Sequence, residues 1–492
     1  MTRVTFTRDG KKISAQEGQS VGAALWAHGD RALSRSLKFH RPRGWYCGTG
    51  KCNQCMMRVD GVPNVKTCIT QAREGMVVEG QNAWPSVRHD LFRGSDVVFR
   101  KGFDHHRAFV RPHFLYPLFS KVIRAFAGWG RLPDTEPPAP SVETARPDVV
   151  VIGGGPAGLA AGVAAAGLGA RTMLFDDRPE AGGSAAFLVG TVEDPDNGGA
   201  VEVSSLVRRW KAEARQADRL DLRGGMTVSA VYRDGLVLAQ ARDRMLAIVP
   251  QSIIVATGAH EAHGVFEGND LPGVMTAHGC LALLVANGVR PGGRAVVYGA
   301  GDHGLQVAEA LVAGGVEVRA VVEPATEPSG SDARERLDAI GVPLWTTTQI
   351  ERAKGLGRVK AVRVYGADGA RTIHADLLVV ALGGKSAPEV FQAMGARLRH
   401  DPWQGGVVPV LGDDLQTSVP GLFAAGDCAG VGTLASARTS GRLAGLAAAA
   451  HAGHGPAPEA ETERLRELLG REPSRAGGPV PGGAAKVAEV SA

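Results

Sequence analysis

The sequence has neither a run of basic residues nor a long uninterrupted apolar segment. Its formal net charge of +5 is small for 492 residues, which argues against nucleic acid as a partner. Residues 1–12 have no apolar core of the kind that signal peptides carry, and glycine and proline interrupt the alanine-rich segments too often for a bilayer span. The sequence therefore predicts a cytoplasmic protein with no membrane span and no nucleic-acid partner.

The sequence also offers no recognisable set of catalytic side chains. It has no Ser-His-Asp arrangement, no His or Glu cluster with metal-ligand spacing and no paired carboxylates. Cys280 and Cys428 are isolated and form no C-x-x-C motif, which argues against a dithiol reductase. We interpret both as ordinary small residues and predict no catalytic residue in this chain.

The other four of the six cysteines are concentrated near the N-terminus. Cys47, Cys52 and Cys55 have the spacing C-x4-C-x2-C, and Cys68 follows. This is the plant-type arrangement for a [2Fe-2S] cluster, in which each iron takes two thiolates. A structural zinc site is the alternative, but it more often shows two C-x2-C pairs. These four cysteines are therefore predicted to ligate a [2Fe-2S] cluster.

The segment around these cysteines has the pattern of a small ferredoxin-like domain. Two short strands, 4–6 and 12–14, are predicted to form a hairpin. Ser20 then precedes an amphipathic helix over 21–28 and is suited to cap it. This hairpin and helix resemble the opening of a β-grasp ferredoxin, so we predict such a domain over residues 1–98.

Residues 99–147 differ in composition from the rest of the chain. Eight of the 26 aromatic residues lie within 99–129, mixed with arginine and lysine. These rings either pack against the chain's own domains or form a docking surface for another subunit; two prolines disfavour a membrane-surface helix. Residues 133–147 are polar and proline-rich, which is typical of a linker.

Residues 148–162 have the order of elements that a dinucleotide requires. Four apolar residues predict a buried parallel strand, and a G-x-G-x-x-G turn that begins at Gly153 then opens an alanine-rich helix. Glycines let the backbone approach a pyrophosphate, and the helix N-terminus offers unpaired N–H groups. The predicted nucleotide contacts here are Gly153, Gly155, Pro156, Ala157 and Gly158.

An acidic pair follows the next predicted strand. Residues 171–175 end in Asp176 and Asp177, and one of these carboxylates is predicted to accept hydrogen bonds from a ribose. We favour Asp177, because Gly182-Gly183 follow it at the offset that two-dinucleotide flavoproteins show. Asp176 and Gly183 are kept as further candidate contacts.

Two later stretches are predicted to complete the same nucleotide domain. The strand 252–255 runs into an A-T-G turn at Thr257-Gly258, and a further strand ends at Gly426-Asp427. In two-dinucleotide flavoproteins, motifs of this kind close the domain and deliver an Asp to the ribityl or pyrophosphate region. We predict all four residues as cofactor contacts, a role that is compatible with helix capping by Asp427.

The strand, glycine turn and helix then occur a second time. The turn contains Gly299, Gly301 and Gly304, and the following strand ends at Glu323. An acid at this position suits a free ribose 2′-hydroxyl, so NAD is favoured over NADP if the site is used. The alternative is an empty Rossmann repeat that serves only packing.

The predicted fold class is therefore α/β. A β-grasp ferredoxin-like domain precedes a two-dinucleotide-binding, Rossmann-like flavoprotein body, in keeping with a length that allows about three domains. The C-terminal residues are predicted to be a mobile tail with one helix possible over 461–469. The predicted divisions are 1–98 (cluster domain), 99–147 (connector and linker), 148–285 (FAD-binding domain, first part), 286–390 (second dinucleotide-binding domain), 391–453 (FAD-binding domain, return segment) and 454–492 (tail).

This combination resembles the α subunit of heterotetrameric sarcosine oxidase over roughly residues 1 to 450. Related α subunits occur in opine oxidase, hydroxyproline dehydrogenase and hydrogen cyanide synthase. In contrast to sarcosine oxidase, this sequence carries the cluster cysteines and has no aminomethyltransferase-like domain after residue 450, so folate chemistry is not expected. The resemblance rests on Arg41–Gly44, Ala125–Gly130, Gly153–Ala161, Gly258–Glu261 and Gly268–Met275.

The resemblance implies the electron-transfer subunit of a heteromeric amine dehydrogenase or oxidase. A β subunit with its own flavin would oxidise a secondary or tertiary amine, such as an N-methyl or imino acid, and pass electrons to FAD and [2Fe-2S] in this chain. Relatives also allow NAD or ATP in the first nucleotide site, FMN at a subunit interface and small additional subunits. The alternatives are a self-contained NADH-dependent FAD/[2Fe-2S] reductase and a scaffold with a structural nucleotide.

Overall fold

The computed structural model divides the chain into two compact units. The first contains residues 1–137 and 263–382, and the second contains residues 138–262 and 383–492. Each unit is therefore made of two separate stretches of sequence. The residues that the structure describes are 2–98, 113–118, 120, 139–241, 243–330, 332–367, 369–471 and 489–490.

The N-terminal part of the first unit is a five-stranded sheet with one short helix against it. The hairpin Arg3–Arg8 and Lys11–Gln16 pairs with Val77–Glu79, which continues the sheet. Ser20 caps the helix Val21–Ala27, and Trp26 is almost completely buried. The other elements are the strands Ser34–Arg35, Pro42–Arg43, Met56–Val59 and Val62–Lys66, the 3-10 helices Leu91–Arg93 and His113–Leu115, and the helix Gly94–Val98.

The rest of the first unit is a parallel five-stranded sheet that contains the second glycine turn. Its strand order is Val274–Thr276, Leu377–Val380, Arg294–Tyr298, Glu317–Val322 and Leu344–Trp345. Because residues 274–276 belong to this sheet, the predicted boundary at residue 285 falls inside the unit. The other elements are the helices Ala277–Leu281, Asp302–Ala313 and Ala333–Ala339, the π-helix Ala282–Ala286, and the strands Gln349–Lys354, Ala361–Gly366 and Gly369–His374.

The second unit is organised around another parallel sheet, which contains the first glycine turn. Its strand order is Leu220–Gly224, Thr172–Asp176, Val149–Ile152, Ser252–Val255 and Leu422–Ala424. The central strand is completely apolar and buried, as expected for a parallel sheet with both faces covered.

Smaller elements cover and extend this sheet. The helices are Pro156–Gly167, Val203–Gln216, Glu389–Met394, Leu434–His451 and Glu459–Arg471, with 3-10 turns at Gly183–Phe187, Pro402–Gln404 and Gly426–Cys428. The remaining strands are Ser141–Ala145, Thr191–Glu193, Ala200–Glu202, Thr227–Val231, Val237–Gln240, Arg244–Ile248, Ala259–Glu261, Gly384–Ser386, Leu398–Asp401, Gly406–Pro409 and Glu489–Val490.

Two glycines of the helix Leu434–His451 bring it against the helix Pro156–Gly167 of the first glycine turn. A Cβ at Gly441 would lie 2.1 Å from the carbonyl oxygen of Ala157, and a Cβ at Gly445 would lie 2.3 Å from that of Ala161. Only glycine allows this approach of backbone to backbone. The contact fixes the position of the helix that starts the nucleotide site.

The predicted mobile tail needs a correction as far as residue 471. Leu465 on the helix Glu459–Arg471 is 5% exposed and packs against Leu443 and Leu446. Glu461 also forms an ion pair with Arg442. The amphipathic pattern of this segment therefore supplies enough apolar contact to hold it in place.

The aromatic connector lies almost entirely outside the described residues, so its two interpretations stay predictions. Among the residues that the structure describes, no helix is long and apolar enough to cross a membrane.

Candidate functional site

The first glycine turn has the backbone geometry that its motif predicts. Gly153 has φ +108°, and its N–H donates to the carbonyl oxygen of Phe175 over 2.8 Å. A Cβ at Gly158 would lie 1.8 Å from the carbonyl oxygen of Gly153, so no other residue fits. A Cβ at Gly155 would have only the Cα of Gly183 within 4 Å, at 3.7 Å. Gly158 is therefore tightly packed against the backbone, whereas the space around Gly155 is open enough for a phosphate to approach.

Of the two predicted acids, the structure brings Asp176 to the glycine turn. Its Oδ2 accepts the N–H of Gly154 at 2.7 Å and its Oδ1 accepts the N–H of Arg178 at 2.9 Å. Asp176 is 7% exposed, whereas Asp177 is exposed at the next position. Adjacent positions at the end of a strand point to opposite faces, which is why the residue order alone could not choose between them.

The loop after these acids returns to the turn. The N–H of Gly182 donates to the carbonyl oxygen of Gly154 over 2.7 Å. Gly183 has φ +58°, and a Cβ there would lie 2.7 Å from the Cα of Gly155. The predicted Gly183 therefore lies against the glycine turn, and Gly182 is a contact that sequence reasoning did not select.

The two later motifs lie in the same unit as the first turn. A Cβ at Gly153 would lie 2.3 Å from the carbonyl oxygen of Ala256, which places the Thr257-Gly258 turn beside it. Gly426 has φ +70°, and a Cβ there would lie 2.7 Å from the Cβ of Ala157. The second unit thus assembles the predicted FAD contacts from both of its sequence segments.

Asp427 is half-buried and lies shortly before the N-terminus of the helix Leu434–His451. Its Oδ1 accepts the N–H of Gly432 at 3.2 Å, which holds the loop between Asp427 and that helix. Thr433 and Ser436 form a reciprocal capping box at the helix start. The capping role considered for Asp427 therefore belongs to Thr433.

The neighbouring Cys428 fits its interpretation as a small structural residue. It is completely buried, and burial raises the pKa of its thiol. A raised thiol pKa makes the thiolate scarce, which disfavours nucleophilic chemistry at this position.

The second glycine turn repeats the geometry of the first. Gly299 has φ +113° and donates to the carbonyl oxygen of Val322 over 2.8 Å. A Cβ at Gly304 would lie 2.0 Å from the carbonyl oxygen of Gly299. A Cβ at Gly301 would have only the Ser329 hydroxyl within 4 Å, at 3.2 Å. The close contact between Gly304 and Gly299 therefore repeats the contact between Gly158 and Gly153 in the first turn.

The carboxylate of Glu323 at the second turn also accepts two backbone N–H groups, as Asp176 does at the first turn. Oε2 of Glu323 accepts the N–H of Ala300 at 2.7 Å, and Oε1 accepts that of Ala325 at 2.9 Å. The N–H of Gly330 returns to the carbonyl oxygen of Ala300 over 3.1 Å. Glu323 thus corresponds to Asp176, and Pro324 occupies the position that corresponds to Asp177.

The four cysteines of the first unit lie within hydrogen-bonding reach of one another. Cys47, Cys55 and Cys68 are buried, and Cys52 is partly exposed. Hydrogen bonds from Cys52 and from Cys68 lower the pKa of Cys47 and Cys55, respectively, while a hydrogen bond with Cys47 raises the pKa of both Cys52 and Cys68.

This thiol set fits a [2Fe-2S] cluster in its donor chemistry. Thiolates are the ligands that such clusters use, and Gly48 and Gly50 have φ +66° and +75°, which lets the loop curl around them. Within the described part of the chain, no group of three or more His, Cys, Asp or Glu side chains is already arranged to hold a metal ion.

Residues 147–453 match the family model described as pyridine nucleotide-disulphide oxidoreductase. The chain belongs to this family. Residues 1–83 match the 2Fe-2S iron-sulfur cluster binding domain. The two matches confirm the predicted α/β organisation and the predicted cofactors, a [2Fe-2S] cluster and FAD.

Similar proteins include components of amine-oxidising enzymes. The alpha subunit of sarcosine oxidase from Rhizobium meliloti (strain 1021) is 31% identical over 77% of this chain and 40% of its own length. An opine oxidase subunit from Agrobacterium tumefaciens (strain Ach5) is 30% identical over 62% of this chain and 65% of its own length. These relatives confirm the resemblance found in the sequence, although the chain spans less than half the length of the sarcosine oxidase subunits that it matches.

A solved structure shares the fold over nearly the whole chain. The L-proline dehydrogenase from P. horikoshii superimposes with a TM-score of 0.69 at 19% identity, covering 98% of this chain and 79% of that one. The likeness shows a common fold. The individual cofactor contacts remain predictions.

Proposed function

We propose that this chain is the electron-transfer subunit of a heteromeric flavin/iron-sulfur dehydrogenase or oxidase that acts on a secondary or tertiary amine. The supporting observation is that one chain combines a complete FAD-type glycine turn with four clustered cysteines. A flavin carries two electrons and a [2Fe-2S] cluster carries one, so the pair can divide the electrons of a hydride. The similarity to subunits of sarcosine oxidase and opine oxidase supports the substrate class.

The residues of the second unit have the role of holding FAD. The glycine turn approaches the pyrophosphate, Asp176 fixes the turn and faces the ribose, and the Gly426-Asp427 loop reaches the same cofactor. NAD or ATP in this site is the alternative. The proposed contacts are Gly153, Gly155, Pro156, Ala157, Gly158, Asp176, Asp177, Gly183, Thr257, Gly258, Gly426 and Asp427.

Amine oxidation itself is assigned to a partner. A β subunit with its own flavin would remove a hydride from the carbon next to the amine nitrogen, and water would hydrolyse the resulting imine. FMN at a subunit interface and small additional subunits fit the same scheme. We place the complex in the cytoplasm, because in that compartment a group of cysteines such as Cys47, Cys52, Cys55 and Cys68 more often holds a metal centre than disulfides.

Native mass spectrometry of the complex, purified without air from its source, tests this proposal directly. We expect this chain with FAD and a [2Fe-2S] cluster, bound to a second flavoprotein that oxidises an N-methyl or imino acid. The chain alone should not oxidise such amines. Turnover of the amine by the isolated chain would overturn the division of labour.

A cysteine variant tests whether electrons pass through the [2Fe-2S] cluster. Cys47→Ser should leave amine-dependent flavin reduction in the partner intact and stop electron delivery to an external acceptor. Cys280→Ala, which changes a buried thiol that is not a cluster ligand, is the matched control. Normal electron delivery by Cys47→Ser would show that the cluster is not on the electron path.

The second glycine turn favours one further candidate, a self-contained NADH-dependent reductase. Its backbone geometry repeats that of the first turn, and Glu323 is suited to a ribose with a free 2′-hydroxyl. Rapid bleaching of the flavin by NADH in the isolated chain would support this function. A flavin that NADH does not reduce would support the role in amine oxidation instead.

A further inference from the structure

A cavity of about 520 Å³ lies in the first unit beside the cluster cysteines. Tyr46, Cys52 and His263 line it, together with Leu37 and other residues of the N-terminal domain. The cavity is therefore built jointly by the ferredoxin-like domain and by the start of the second nucleotide segment. Its volume is within the range of small-molecule sites.

Cys52 gives this cavity a direct relation to the cluster. It is the one cluster cysteine that is partly exposed, whereas Cys47, Cys55 and Cys68 are buried. Electron transfer slows steeply with distance, so a molecule in contact with Cys52 is the acceptor best placed to oxidise the cluster. A molecule bound in the cavity would therefore be in contact with a predicted cluster ligand.

The charges around the cavity are compensated. Arg43 forms an ion pair with Asp270 at 3.0 Å, and Arg35 forms one with Asp90 at 3.9 Å. An anion such as a nucleotide phosphate would have to compete with these carboxylates for the guanidinium groups. The lining thus favours a neutral ligand.

Most of the other lining side chains are hydroxyls and amides, which can donate hydrogen bonds to the carbonyl groups of a neutral molecule. The hydroxyl of Tyr46 lies 2.9 Å from Nδ1 of His263, and the two rings are 5.5 Å apart. A phenol and an imidazole in contact can present a hydrogen-bond donor to a carbonyl oxygen. Leu37 and Met56 supply apolar surface for a ring.

We propose that this cavity binds a small neutral quinone, which takes electrons from the cluster on its Cys52 side. The quinone accepts two electrons, one at a time, and two protons from solvent, and leaves as the hydroquinone. The proposed function supplies the electrons through reduced FAD, so this inference rests on that function. It adds the chemical class of the acceptor and the place where it binds.

The test uses the full chain without amine or partner subunit. The FAD- and cluster-containing protein is reduced with dithionite under anaerobic conditions, freed of excess dithionite by gel filtration and mixed with menadione, and the cluster is followed by absorbance and electron paramagnetic resonance. Equilibrium dialysis of the oxidised protein measures menadione binding separately. We expect saturable binding and saturable reoxidation of the cluster.

Three variants address the cavity itself. Leu37→Trp fills it, while Tyr46→Phe and His263→Gln change the hydrogen-bonding pair with little change of volume. Each should weaken menadione binding by about tenfold, the effect of losing a hydrogen bond or the space for a ring. Reoxidation by ferricyanide, which does not need the cavity, should be unchanged. Tyr232→Phe, which removes the hydroxyl of an exposed tyrosine in the other unit, is the control.

Failure of this inference can be distinguished from failure of the proposed function. Absence of menadione binding, or reoxidation by menadione at the wild-type rate in all three cavity variants, would overturn the quinone site. Absence of amine-driven reduction in the intact complex would overturn the proposed function, but it would not affect the dithionite experiment.

Discussion

The indole N–H of Trp45 donates to the carbonyl oxygen of Gly279 over 2.8 Å. Trp45 is 1% exposed, and Gly279 is buried. The next residue, Tyr46, accepts the N–H of Thr276 through its own carbonyl oxygen at 3.1 Å. The loop that carries Cys47 is therefore attached by buried hydrogen bonds to the helix Ala277–Leu281 of the second nucleotide segment.

This attachment predicts a strong effect of Gly279→Ala. The new Cβ would lie 1.9 Å from the carbonyl oxygen of Tyr46, so the cluster loop would have to move. We expect a loss of about 2 kcal/mol or more in the free energy of unfolding of this unit and an altered resonance spectrum of the cluster. Urea unfolding and electron paramagnetic resonance measure the two effects.

Gly167→Ala is the matched control for that variant. Gly167 ends a helix, and a Cβ there would meet nothing within 4 Å. A stability equal to or slightly above that of the wild type is expected, because alanine favours the helix over glycine, together with an unchanged spectrum. If Gly279→Ala behaved like Gly167→Ala, the loop would not depend on this contact.

The geometry of the acidic pair predicts different consequences for Asp176→Asn and Asp177→Asn. The carboxylate of Asp176 accepts two backbone N–H groups at the first turn, and an amide oxygen can replace only one of these acceptors. We expect Asp176→Asn to weaken FAD binding by about tenfold or more, and Asp177→Asn to have a smaller effect. Fluorimetric titration of the apoprotein with FAD measures both affinities. A larger loss of FAD affinity in Asp177→Asn than in Asp176→Asn would instead support Asp177, the residue favoured from the sequence.

The two glycine turns predict a separation of the two nucleotide sites. Gly158→Ala would place a Cβ 1.8 Å from the carbonyl oxygen of Gly153, and Gly304→Ala would place one 2.0 Å from that of Gly299. We expect Gly158→Ala to be purified without FAD. Gly304→Ala should keep FAD and lose any NADH binding that the wild type shows in equilibrium dialysis. Loss of FAD in Gly304→Ala would contradict this assignment.

A pH dependence follows from the ion pair between Asp148 and Arg171. Hydrogen bonds from the Arg171 side chain lower the pKa of Asp148 to about 2. A carboxyl group with a lowered pKa stabilises the fold above its unfolded pKa of about 4, and this stabilisation is lost as the pH falls toward the folded value. We expect Asp148→Asn to cost about 1–2 kcal/mol at pH 7, since the exposed Arg171 side chain is screened by solvent.

Urea unfolding at several pH values measures this contribution. The difference in free energy of unfolding between wild type and Asp148→Asn should be constant from pH 7 to pH 5 and should shrink below about pH 4. A difference that did not shrink between pH 4 and pH 2 would show that Asp148 is not held as a carboxylate by Arg171.

Local patterns in the sequence determined the chemistry that each segment can support. The spacing of Cys47, Cys52 and Cys55 specified a [2Fe-2S] cluster, and the glycine turns at Gly153 and Gly299 specified two nucleotide folds. These patterns could be read because ligand spacing and tight turns depend on residues close together in the chain.

Only the tertiary structure decided how these segments are combined. It placed Asp176 rather than Asp177 at the first turn, packed the helix Glu459–Arg471 against the helix Leu434–His451, and attached the cluster loop to Gly279. Each of these results depends on contacts between side chains or backbone groups that are far apart in the sequence. The periodicity of one segment carries no information about its distant partner, so the sequence determined the sites and the fold determined their neighbours.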